Sequence, residues 1–65
     1  MATYLKFFCD DDELYLRAYT HGLDADIDMR DEIDRWNNGR SWNRLELVYG
    51  DKVFQRWTVN GMEYF

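Results

Sequence analysis

The chain reads as a small α+β domain of order ββαβββ, with one helix packed on a mostly antiparallel sheet. Three observations predict this. Two segments near the amino end alternate apolar and polar residues, a central segment has helical periodicity, and an Asn60-Gly61 pair sits inside a strand-like final third. Proline is absent and the four glycines are scattered, so no linker divides residues 1–65, which are expected to form a single domain.

Residues 3 to 9 place Thr3, Leu5, Phe7 and Cys9 on one face of a strand and Tyr4, Lys6 and Phe8 on the other. Residues 14 to 20 repeat the pattern. With Asp10 to Glu13 as a four-residue loop, Cys9 pairs with Leu14, Phe7 with Leu16 and Leu5 with Ala18, which makes one face wholly apolar. The opposite face then gathers Tyr4, Phe8, Tyr15 and Tyr19 around Lys6 and Arg17.

A helix is predicted from Asp24 or Ala25 to Asn37, with Asp24 as N-cap and Asn38-Gly39 supplying a left-handed terminator. Ala25, Met29, Ile33 and Trp36 form its buried stripe, and Asp28, Asp31 and Asp34 mark an acidic outer surface. Ile27 falls among those acids with no packing need. The last third predicts a three-stranded meander. Asn60-Gly61 suits a type I′ turn that pairs Val59 with Met62 and Trp57 with Tyr64. At the preceding turn a two-residue loop suits Gly50. A three-residue loop, Gly50 to Lys52, is preferred because it aligns Leu45, Leu47, Tyr49, Val53, Trp57 and Val59 and sets Glu46 opposite Arg56.

Composition narrows function. The chain has one histidine, one cysteine and one serine (His21, Cys9 and Ser41), with Cys9 expected on a buried strand face where a thiol is inert packing. No catalytic residue is therefore assigned, and the chain is read as a non-enzyme. Asp24, Asp26 and Asp28 open like a calcium loop, but Met29 and Arg35 stand where its glycine and bidentate glutamate belong. No metal and no cofactor are expected. A lone cysteine and an amino-terminal apolar stretch too short and too interrupted to be a signal peptide point to the cytoplasm, the host cytoplasm for a viral protein, and no apolar run is long enough to span a membrane.

The net charge of -5 is unevenly distributed. Asp10, Asp11, Asp12, Glu13, Asp24, Asp26, Asp28, Asp31, Glu32 and Asp34 face only Arg17 and Arg30 in the same stretch, whereas bases outnumber acids elsewhere. Acids in the first helical turn complement the macrodipole, but those in mid-helix and the run from Asp10 to Glu13 exceed that need. Such a region repels nucleic acid and anionic membrane and attracts basic surfaces. Helix carboxylates three or four residues apart lie about 5 to 6 Å from one another, comparable to successive phosphates of a nucleic-acid strand.

In size, acidity, lack of catalytic groups and ββαβββ order, the chain resembles the small phage-encoded inhibitors of bacterial defence, the anti-CRISPR and anti-restriction proteins. Many of those are acidic decoys that occupy a DNA-binding surface. The resemblance implies a stoichiometric inhibitor of the DNA-mimic type, with the ten acids named above covering the basic nucleic-acid channel of a defence complex or similar protein. Neither nucleic acid nor membrane is an expected partner, and the chain is a monomer or a homodimer. The alternative is a structural or accessory module that binds or dimerises through Tyr4, Phe8, Tyr15 and Tyr19. Only Lys6 and Arg17 lie among these rings, too few bases for a nucleic-acid platform.

Overall fold

A computed structural model of the chain describes residues 2–65 and contains the expected ββαβββ order. The strands are β1 (Thr3–Cys9), β2 (Asp12–Tyr19), β3 (Arg44–Tyr49), β4 (Lys52–Thr58) and β5 (Gly61–Tyr64), and the helix is α1 (Gly22–Asp34). They build one antiparallel sheet of order β2-β1-β3-β4-β5. Because β2 and β3 both run antiparallel to β1, they are parallel to each other. Antiparallel neighbours need only a tight turn, whereas β2 and β3 need a crossover, which α1 supplies over β1.

The first hairpin differs from the sequence expectation. Its turn is two residues, Asp10-Asp11, so Cys9 pairs with Asp12 and Phe8 with Glu13. Leu14 is then an extra residue at a bulge, after which Phe7 pairs with Tyr15, Leu5 with Arg17 and Thr3 with Tyr19. The bulge reverses which β2 side chains meet the core, because side-chain direction has a period of two. Tyr15, Arg17 and Tyr19 lie on the helix side, while Leu14 and Leu16 are exposed. Cys9 is half-buried beside the turn and not on an enclosed face.

Helix α1 begins at Gly22 with His21 as N-cap and no side-chain capping bond, which places Asp24 in the first turn and not at the cap. The helix also ends sooner, at Asp34. The Trp36 amide donates to the Ile33 carbonyl at 3.1 Å, tightening the last turn. Asn37 then organises a separate turn, its side-chain oxygen accepting from Gly39 N at 2.8 Å, and no left-handed residue closes the helix.

The turn at Gly50-Asp51 has two residues, with Tyr49 paired to Lys52 and positive φ at Gly50. A bulge at Phe54 takes up the offset, so Val53 meets Val48 on the open face while Trp57 stays opposite Leu45 and Arg56 opposite Glu46. The last hairpin turns through Val59-Asn60 instead of Asn60-Gly61, pairing Trp57 with Met62 and Gln55 with Tyr64. This two-residue slip preserves faces.

The core lies between α1 and β1, β2 and β3. Leu5, Phe7, Ala25, Met29 and Leu45 are fully enclosed, and each larger side chain among them contributes about 1.5 to 3 kcal/mol by leaving water. Trp42, unassigned by the sequence pattern, occupies the centre. Its ring meets Phe7 at 5.6 Å and Trp57 at 5.8 Å between centroids, and its carbonyl accepts from Trp36 Nε1 at 2.7 Å. Among the described residues no helix covers the opposite sheet face, where Glu46 and Val48 are buried by neighbouring side chains. No helix among the described residues is long and apolar enough to cross a membrane.

Candidate acidic interface

The ten acids divide by what they touch. Asp10 holds the first turn at φ 54°, and its amide and carboxylate bond the Asn43 side chain at 2.9 and 3.1 Å. Asn43 N in turn donates to the Phe8 carbonyl, tying the turn to the segment before β3. Asp10 is therefore committed to folding. Asp11 and Asp12 project into solvent with no ion pair among the described residues, and Glu13 reaches Lys6 at 3.5 Å.

Along the helix, Asp26 pairs with Arg30 at 3.1 Å, and Asp31 with Arg35 at 2.6 Å. Both are (i, i+4) contacts at the helix surface worth a few tenths of a kcal/mol, with Asp26 half-buried and Asp31 exposed. Glu32 is 6% exposed and pairs with Arg17 at 3.0 Å, so it is a core-edge residue and not a docking group. Asp28 accepts from the Tyr19 hydroxyl at 2.7 Å, which gives it a structural role that its place on the outer helix surface did not suggest. Asp24 and Asp34 are exposed and unpaired among the described residues.

Tyr19 binds Asp28 and Arg17 binds Glu32, so the path of β2 back from Tyr19 follows α1 forward. Asp24, Asp28 and Asp31 thus line the flank shared by α1 and β2. Burial, with the hydrogen bond to Asp28 added, raises the Tyr19 hydroxyl above its ordinary titration range. Burial acts to lower the Arg17 pKa, but hydrogen bonding to Tyr19 and the Glu32 charge outweigh it and raise it. This corner holds its charges in place.

The four aromatic residues expected to share a patch do not. Tyr15 stacks on Phe7 at 4.5 Å and Tyr19 reaches Asp28, both on the helix side. Tyr4 and Phe8 lie on the open face, where the Arg44 guanidinium sits 4.2 Å above the Phe8 ring. The bulge at Leu14 causes this division.

The open face also holds Glu46, 7% exposed, with Arg56 at 2.9 Å and Arg44 at 3.4 Å from its Oε2. Sequence reasoning anticipated the Arg56 partner through strand register but not the second arginine, which arrives from the same strand two residues away. Among the described residues, no group of three or more His, Cys, Asp or Glu side chains is placed to hold a metal ion. No family model matches the chain, and no curated protein or solved structure matches it.

Proposed function

We propose that the chain is a non-catalytic acidic binding protein that occupies the basic nucleic-acid-binding surface of another protein, a phage-encoded inhibitor of a host defence complex acting by DNA mimicry. One observation supports this above others: ion pairing absorbs most of the bases and leaves carboxylates in solvent. Lys6, Arg17, Arg30, Arg35, Arg44 and Arg56 all pair with acids. The surplus behind the net charge of -5 therefore rests on groups such as Asp11, Asp12, Asp24 and Asp34. A fixed, solvent-facing surplus of one sign steers a partner of opposite sign and sets its register.

The test is capture from a bacterial lysate on immobilised protein at low salt, followed by elution with duplex DNA. Nucleic-acid-binding proteins released by DNA and by moderate salt are the expected result. Captured proteins that resist both eluents would overturn the reading.

A further inference from the structure

Strand β2 is an edge of the sheet and has eight residues, seven of them exposed. The other edge, β5, is four residues long, a length that itself discourages pairing. Among the described residues no strand pairs with the outer side of β2, and Leu14, Tyr15 and Leu16 are each more than two-fifths exposed. An edge with unpaired amides and carbonyls and apolar side chains is a template for another strand.

The sequence of β2 selects the occupant. An antiparallel copy related by a two-fold axis at Leu16 sets Leu16 beside the partner's Leu16, Leu14 beside the partner's Ala18, and Tyr15 beside the partner's Arg17. Apolar residues meet on the open face. On the helix side each arginine meets a ring, a favourable contact. Centring the axis at Arg17 would oppose two arginines, so charge excludes that register.

We propose that β2 pairs with β2 of a second copy in this way, giving a homodimer with one ten-stranded sheet. The two-fold axis is perpendicular to the sheet, so both α1 helices lie on the same side with their acidic flanks facing one another. Two copies of net charge -5 repel at a distance, and association therefore strengthens with salt, opposite to the behaviour expected of an electrostatic complex with a basic partner.

Sedimentation equilibrium on the full chain over roughly 1 to 100 μM tests this, since a micromolar dimer changes mass within that range. The wild type should reach dimer mass, more readily in higher salt. Leu16→Lys, at an exposed position, should remain monomeric with a cooperative melting curve, and Leu23→Lys on the helix should dimerise as wild type does. Should Leu16→Lys disturb folding, Ala18→Lys serves in its place, and β2 amide exchange in the wild type should slow as concentration rises. A wild-type monomer throughout the range, a dimer that survives the β2 substitution, or β2 exchange independent of concentration would overturn the proposal.

Discussion

On the open sheet face, Lys6, Arg44 and Arg56 each lie within ion-pair distance of a glutamate, and Glu46 is buried between two of them. On the flank formed by β2 and α1, Arg17 and Arg35 reach Glu32, but Asp24 there, and Asp11 and Asp12 at the end of the first hairpin, have no cation among the described residues. The difference comes from backbone geometry. The pleat brings side chains of one face together, Arg56 directly opposite Glu46, Arg44 two residues along the same strand and Glu13 diagonally across from Lys6, so charges on this face find partners. A hairpin end and a helix surface offer no opposing strand: Asp26 and Asp31 find only exposed partners on their own helix, and Asp11, Asp12, Asp24 and Asp34 stay in water. Charge is thus neutralised on the open face and only partly neutralised on the flank and hairpin end, where the unpaired carboxylates are displayed.

Both regions stand on the aromatic cluster, so its loss should remove the contrast altogether. Trp42→Ala is expected to cost about 3 to 5 kcal/mol, since it empties the site between Phe7 and Trp57, and to unfold much of the protein at moderate temperature. Thermal melting followed by near-ultraviolet circular dichroism checks it. An unchanged melting curve would mean that Trp42 is not central.

Glu46→Gln addresses the neutralised face alone. It leaves two arginines without their carboxylate, and because both retain some solvent the expected cost is about 2 kcal/mol by urea denaturation. Asparagine at Asp11, Asp12, Asp24 or Asp34 should instead change stability by less than about 0.5 kcal/mol. Equal losses on both sides would erase the comparison.

Tyr19→Phe probes where the flank ceases to be purely solvent-facing. Losing the bond to Asp28 should cost about 1 kcal/mol near neutrality. The folded-state pKa of Tyr19 is raised, so the folded protein holds that proton longer than the unfolded chain. Its stabilising contribution is complete below the ordinary value of 10.0 and is lost as pH rises above it. The gap between wild type and variant should therefore narrow above pH 10, in urea titrations at matched pH. A constant gap would detach Tyr19 from the alkaline behaviour. Asp10→Gly should have a small net effect in the same urea titrations, because relief of a positive φ offsets the lost contact with Asn43.

Element order, the helix stripe from Ala25 to Ile33 and the Glu46–Arg56 pair were legible because each follows from periodicity or register. The faces of β2 were not. Alternation gives the relative orientation of neighbours within a strand, but the bulge at Leu14 adds one residue, which the pattern does not encode, and so reverses β2. That one residue separated Tyr15 and Tyr19 from Tyr4 and Phe8. Trp42 was hidden for another reason. It belongs to a connecting segment without periodicity, and only its size and apolar surface marked it for burial. The acidic region was visible as composition, yet Glu32 and Asp28 look like any other helix acid until Arg17 and Tyr19 arrive from β2.

The proposed role rests on displayed charge, and its most direct test alters that charge without touching the fold. A variant carrying Asp11→Asn, Asp12→Asn, Asp24→Asn and Asp34→Asn should melt as the wild type does, because none of these side chains has an ion-pair partner among the described residues. Immobilised beside the wild type in the same lysate at low salt, it should lose most of the DNA-elutable proteins that the wild type captures. Undiminished capture of those proteins by the folded variant would contradict the account.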